Sequence, residues 1–240
     1  MNTGEETSIE IASGVSMTLC WCRPGFFVMG SPLNEVGRID NEGPCSVTLS
    51  RGFWIGKTSV TQVQWKSIMG SNPSNFIGDK LPVENTSWYD AQNYLDKLND
   101  LISPEGGWKM VLPTDAQWEY ACRAGERGPY SGGAVDEVAW YNSNSFGSTN
   151  PVGEKKPNAW GIHDMHGNVW EWCQDWYDHV NEELYGGLDP QGPETGVARV
   201  YRGGSWGNLD IHSRSSSRSA AFPQAASNRV GFRVACVQIP

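Results

Sequence analysis

Residues 161–177 read GIHDMHGNVWEWCQDWY. Four aromatic residues, Trp170, Trp172, Trp176 and Tyr177, are interleaved with the acids Glu171 and Asp175. Large rings at this density suit a packed core, where each buries a sizeable area. Glu171 then needs a partner, because an unpaired carboxylate among tryptophans is costly. An arginine, backbone N–H groups or a hard cation would each satisfy it. Calcium takes carboxylate and carbonyl oxygens, and Asp164, Glu171 and the turn carbonyls around Gly167 are of that type. His163 and His166 flank Asp164 with no third ligand fixed nearby, so exposed or capping roles are expected for them and not a catalytic metal.

Outward from this stretch, three helices announce themselves. Thr61 stands as an N-cap before TQVQWKSIMG, which ends at Gly70. Ser87 caps a segment with Trp88, Ala91, Tyr94, Leu95, Leu98 and Ile102 at helical spacing. Thr114 and Gln117 form a capping box for TDAQWEYACRAG, with Trp118, Ala121 and Cys122 as the buried stripe and Gly125 as the stop. Short strands are expected at 26–31, 47–61, 197–204 and 230–239, the last two close enough to pair. Much of 123–196 reads as turns, which dense aromatic packing or a metal has to support. The fold class is therefore α+β, with limited regular structure, two to three helices and small antiparallel sheets. The chain reads as a single domain over 1–240.

Composition narrows the function. The 240 residues carry a net charge of −9, and their 18 Lys plus Arg form no cluster. Binding to a polyanion needs positive charge that releases counterions, so nucleic acid is excluded as a partner. No 20-residue apolar span is present. Residues 1–18 carry Glu5, Glu6 and Glu10 and no basic segment, unlike a signal peptide. The six cysteines include no C-x-x-C pair and read as buried thiols. Serines near His212 lack a nucleophile elbow, and GGSWG lacks the lysine of a phosphate loop. Arg202, Arg214, Arg218, Arg229 and Arg233 fall together with many serines, a composition suited to hydrogen-bond networks that order loops.

Seven segments carry a family signature in order: PGFFVMGS, TSVTQVQW, LPVENTSWYDAQNYLDKLN, LPTDAQWEYACRAG, PNAWGIHDMHGNVWEWCQDWY, RGGSW and VGFRVA. Together they resemble the formylglycine-generating enzyme (sulfatase-modifying factor) family, over nearly the whole chain. The resemblance implies a C-type lectin-like fold. It also implies an oxidase whose two cysteines hold copper shortly after the GGSW-type motif. Those positions fall on Asn208 and Ser213, so soft thiolate ligation of copper is lost; no copper and no enzyme activity are expected. A structural calcium site is implied at Asp164 and Glu171 through side chains, and at Gly167 and Val169 through backbone.

A non-enzymatic branch is similar in another respect. Variable proteins of bacterial diversity-generating retroelements, of the spirochaetal TvpA-like type, end in a segment of the form RGGSW…RS..R…P…GFRV. Their adenine-directed mutation leaves out Trp, Gln, Lys, Glu and Met at varied positions. Residues 207–212 and 219–222 contain none of these five; Gln224 does not conform and falls outside the set. The resemblance implies a variable region at about 201–234. Its ligand-binding surface would be made by Gly207, Asn208, Leu209, Asp210, Ile211, His212, Ser217, Ser219, Ala220, Ala221 and Phe222. The expected partner is a protein or other macromolecule bound by a monomer. The expected setting is the cell surface as a lipoprotein if the chain is a trimmed mature form, and otherwise the cytoplasm. The alternatives are a formylglycine-generating-type oxidase, a related metal-dependent enzyme, or a scaffolding domain that does not vary.

Overall fold

The computed structural model describes residues 1–103, 106–178 and 185–239. The chain opens with β1 (Glu6–Ala12), β2 (Val15–Cys22), β3 (Gly25–Met29), β4 (Cys45–Leu49) and β5 (Phe53–Gly56). Next come α1 (Gln62–Met69), α2 (Trp88–Ile102), β6 (Trp108–Val111), α3 (Asp115–Arg123) and the single turn α4 (Val135–Val138). The C-terminal half carries β7 (Ala139–Trp140), β8 (His166–Gly167), β9 (Trp170–Trp176), β10 (Gly187–Leu188) and β11 (Arg199–Arg202). It ends with β12 (Arg218–Ala221), β13 (Val230–Gly231) and β14 (Ala235–Gln238).

The three longer helices start where their caps place them. Thr61, Ser87 and Thr114 each accept the N–H of the third residue on, and the residue at that position returns a side-chain bond. One stop differs: the left-handed residue that ends α3 is Ala124, with Gly125 following it at positive φ. The apolar stripe of α2 is buried at Trp88, Ala91, Tyr94, Leu95 and Leu98. It packs on Trp65, Phe232 and Trp172 in one core cluster. Trp118, Ala121 and Cys122 of α3 sit in a second cluster with Met29, Val47 and Ile55.

Strand pairing departs from the sequence reading in two places. The run at 47–61 is two strands, β4 and β5, in different sheets. The two strands around the C-terminal segment do not pair with each other. β9 lies between β11 and β13 in a sheet of order β12-β11-β9-β13, while β14 joins the sheet β1-β2-β5-β14-β6. The reason is that β9 is buried on both faces, with Trp170 and Trp172 on one and the satisfied Glu171 with Cys173 on the other, and so takes a central place. The segment between β11 and β13 therefore leaves one side of β9 and returns on the other.

All six cysteines are free thiols, and five are buried. Burial pushes Cys20 up to about 11 and Cys122 up to about 12, so both stay protonated at neutral pH. No helix among the described residues is long and apolar enough to cross a membrane.

Candidate functional site

β9 supplies the floor of a cleft. Trp170 and Trp172 stand edge-on to Tyr201 of β11, at 4.9 and 5.4 Å between ring centroids. With Asn208, Ala221 and Arg229 they line a cavity of about 220 Å³. Trp170 Nε1 donates to Asn208 Oδ1 at 2.9 Å, and Ser205 Oγ donates to the same oxygen. Above the floor, Leu209 is 54% exposed and Phe222 60%. His212 is also exposed, with its ring 6.5 Å from Trp170.

The RGGSW segment is held from several sides. Arg202 is fully buried. Its guanidinium bonds Asp115 through Nε and Glu119 through Nη2 at 2.9 Å, both on α3. Its Nη1 bonds the carbonyls of Ser215 and Ser217 at 3.1 and 3.2 Å. Gly204 has φ of 75°, and a Cβ there would lie 2.6 Å from Ser213 Oγ, so only glycine fits. Trp206 donates to the Asn228 carbonyl at 2.8 Å, joining the two arms of the segment.

The middle of the segment, SRSSSR, is bolted down. Arg214 is buried and forms ion pairs with Glu35 and Glu42, each at 2.7 Å. It also donates to the carbonyls of Gly37 and Ile211. Arg218 pairs with Asp115 at 3.1 Å and lies 4.4 Å over the Tyr185 ring. Ser217 is therefore 3% exposed and does not belong to the displayed set. The error has a clear origin: Ser reads as surface from composition, but the Ser215 and Ser217 carbonyls are taken by the buried Arg202 and the Ser216 hydroxyl lies among Arg214, Glu35 and Glu42. Gly207, Asn208, Asp210, Ile211, Ser219, Ala220 and Ala221 are half-buried along the rim, between the exposed Leu209, His212 and Phe222.

His166 is buried, contrary to the exposed or capping role expected of it. Nδ1 donates to the Ser213 carbonyl at 2.7 Å, and Nε2 accepts the Ser131 N–H at 3.0 Å. Burial lowers its pKa to about 4, which keeps the imidazole neutral. His166 thus props the end of the 207–213 loop from below. Glu35, Glu42, Asp115 and Glu119 are the other anchors that sequence reading passed over. Apart from Arg123, one helical turn after Glu119, nothing local marks them, since the arginines of the display segment that they hold lie 83 to 179 residues away.

The calcium reading does not fit. Glu171 has both oxygens taken by protein donors. Arg233 forms a two-pronged pair with it at 2.6 and 2.9 Å. Ser59 Oγ donates at 2.6 Å and Trp118 Nε1 at 2.7 Å. A cation would have to displace a guanidinium. Asp164 turns Oδ2 to the Gly153 N–H at 2.7 Å, and its Oδ1 has no hydrogen-bond partner among the described residues. Gly167 N–H is held by the Gly203 carbonyl. Glu171 is thus committed to the protein frame and its partner is an arginine, while Asp164 spends one oxygen on the Gly153 N–H and Gly167 and Val169 are buried beside them.

Asp164 carries a testable cost. Burial raises its carboxyl to about 6, well above the ordinary 3.8. The folded state therefore holds a proton that the unfolded chain releases. The penalty is full above pH 6 and fades as the pH falls towards the unfolded value, reaching about 3 kcal/mol at most. Asp164 also sits at φ 57°, which asparagine tolerates. Asp164→Asn is expected to raise stability at pH 8 by about 1–3 kcal/mol, less whatever its unpaired NH2 loses. The gain should shrink by roughly half at pH 5. Thermal melts at both pH values check this; a loss of stability at pH 8 in millimolar calcium would restore the cation.

A family model described as the sulfatase-modifying factor enzyme 1-like domain matches residues 13–237. The chain belongs to the sulfatase-modifying factor family. Within the family it is 36% identical over 211 residues to the chaperone protein LppX of Paenibacillus barcinonensis, covering 67% of this chain and 71% of that one. It is 34% identical over 205 residues to the formylglycine-generating enzyme of Streptomyces coelicolor, covering 76% of this chain and 60% of the enzyme. Among solved structures, Treponema denticola variable protein 1 superposes with a TM-score of 0.87 at 30% identity, over 96% of this chain and 98% of that one. The family fold expected from the motifs is therefore present, with four α-helices and small mixed sheets among the described residues. The chain is thus similar both to an enzyme and to a variable protein, so function rests on the cleft itself.

Proposed function

We propose that the chain is a ligand-binding protein that displays exchangeable side chains on a fixed backbone. The observation that carries this reading is a division of labour within residues 201–234. Arg202, Arg214, Arg218 and Arg233 are buried and ion-paired, while Leu209, His212 and Phe222 project from the same segment into solvent. A backbone held before the partner arrives loses little freedom on binding, so side-chain identity alone can select the partner. Retroelement diversification of the exposed and half-buried rim positions is the matching genetic mechanism. The partner would be a macromolecule bound by a monomer. A cell-surface setting belongs to the same proposal.

The oxidase reading needs two thiolates in the cleft. Asn208 stands at one position with its Oδ1 bound to Trp170, and Ser213 stands at the other, fully buried. None of the six cysteines lines the cleft. Cys22 and Cys173 are pushed far up by burial, the opposite of what a reactive thiol needs.

Two measurements test the proposal. Replacing Leu209, His212 and Phe222 together by alanine should cost about 0.5 kcal/mol per site or less. That is a shift of only a few degrees in Tm for a chain of this size. Oxygen consumption with a cysteine-containing peptide and copper should stay at background. A melting loss above about 10 °C, or thiol-dependent turnover, would count against display.

A further inference from the structure

A second surface lies away from the cleft. β3 is the open edge of the sheet β10-β4-β3. Its residues pair with β4 in antiparallel register from Gly25↔Leu49 to Met29↔Cys45. Gly30 shows which way the next parity points. Its N–H goes to Glu119 Oε1 at 2.8 Å and its carbonyl accepts from Arg123 Nη2 at 2.8 Å, both on α3 and away from β4. Phe26 and Val28 share that parity, so their N–H and C=O groups face out along the same edge. No strand among the described residues covers them. Their side chains are also bare, at 63% and 48% exposure.

Such an edge is a template for another strand, and proteins ordinarily blunt it with charge, proline or a cover. Here it is left open beside an apolar groove of about 500 Å³. Tyr120 and Trp160 form the groove's aromatic wall, their rings edge-on at 5.0 Å, and Phe27 lies 5.3 Å from Tyr120. Pro32 and Pro44 close one side. The groove shares no lining residue with the cleft under residues 207–222.

Charge at the groove runs against the rest of the molecule. The chain carries −9 overall. At the groove, Arg23 and Arg127 are exposed, and among the described residues neither is in an ion pair. Arg23 reaches the Tyr120 hydroxyl. Arg123, beneath them, is fully engaged by Glu119, Gly30 and Gly128. The one acid in the lining, Glu126, turns an oxygen to the Gly132 N–H at 3.1 Å.

We propose that β3 and this groove dock an extended acidic segment of a partner protein by strand addition. The segment would pair its backbone with Phe26 and Val28, lay an apolar side chain against the wall formed by Tyr120 and Trp160, and set carboxylates against Arg23 and Arg127. Main-chain bonds give affinity in this mode and alternate side chains give specificity.

The test is a pool of heptapeptides alternating glutamate with random apolar residues, displayed and selected on the whole chain. Selected peptides, remade with a fluorophore, are measured by anisotropy. Binding should weaken at least tenfold with Val28→Pro, which removes an outward N–H without touching the β4 ladder. It should weaken similarly with Arg23→Glu/Arg127→Glu, which alters only exposed side chains and keeps the test valid if the proline variant does not fold. Bound peptide should slow hydrogen exchange at the Phe26 and Val28 amides. Failure to enrich peptides, or peptides equally tight on both variants, would overturn the proposal. So would self-association of the chain that Val28→Pro abolishes, since the edge would then serve a second copy.

Discussion

Glu171→Ala is expected to lower the melting temperature by roughly 6–20 °C. Glu171 and Arg233 are both fully buried, and their pair is flanked by Ser59 and Trp118. Removing one member leaves a guanidinium in the core with its main counter-charge gone, which costs about 3–5 kcal/mol. In a chain of this size each kcal/mol moves Tm by about 2–4 °C. Three further results separate the arginine pair from a cation. Arg233→Ala should cost a similar amount, because it strands Glu171. The double variant should fall well short of the sum, since the two changes break one interaction. A chelator should leave the wild-type melt unchanged; a chelator-dependent fall that Glu171→Ala abolishes would show that a cation holds the site.

The second large effect is expected at Arg202. Arg202→Met keeps the volume but removes the charge that Asp115 and Glu119 share. Glu119 is buried, which alone would raise its carboxyl, but Arg123 and Arg202 hold it below the ordinary carboxylate range. Without Arg202 both acids lose a partner, and the expected cost is again about 3–5 kcal/mol. The location of the damage is the sharper readout. Arg202 also carries the Ser215 and Ser217 carbonyls, so amides at 213–218 should exchange on the order of tenfold faster or more, ahead of those in α2. Uniform acceleration across the chain would mean that Arg202 stabilises the fold without specially holding the display segment.

Local signals in this sequence proved readable, and long-range ones did not. The capping residues Thr61, Ser87 and Thr114 act within three positions of themselves, so their helices could be read directly. The buried stripe of α2 follows from one period of one helix. The motifs RGGSW and VGFRV were recognisable as family signatures. That β9 separates their strands was not, because sheet order is set by contacts distant in the chain. The partner of Glu171 shows the same limit. Burial among tryptophans demanded a counter-charge, but choosing between Arg233, 62 residues away, and an ion took geometry. Ser217 was misplaced because a serine-rich run looks solvated until the arginines that bind its carbonyls are located. The exposed Leu209, His212 and Phe222 stand on the rim, within the segment between RGGSW and GFRV that the resemblance marked as variable.

The proposal of a display surface meets its most direct test in one selection. Leu209, Asp210, His212, Ser219 and Phe222 are randomised together, the rest of the chain is kept, and the library is selected separately on several unrelated proteins. The account predicts folded binders for different targets that differ from one another only at these rim positions, with melting temperatures close to the parent. Libraries that yield no binder to any target, or that lose the fold whenever the rim changes, would contradict it.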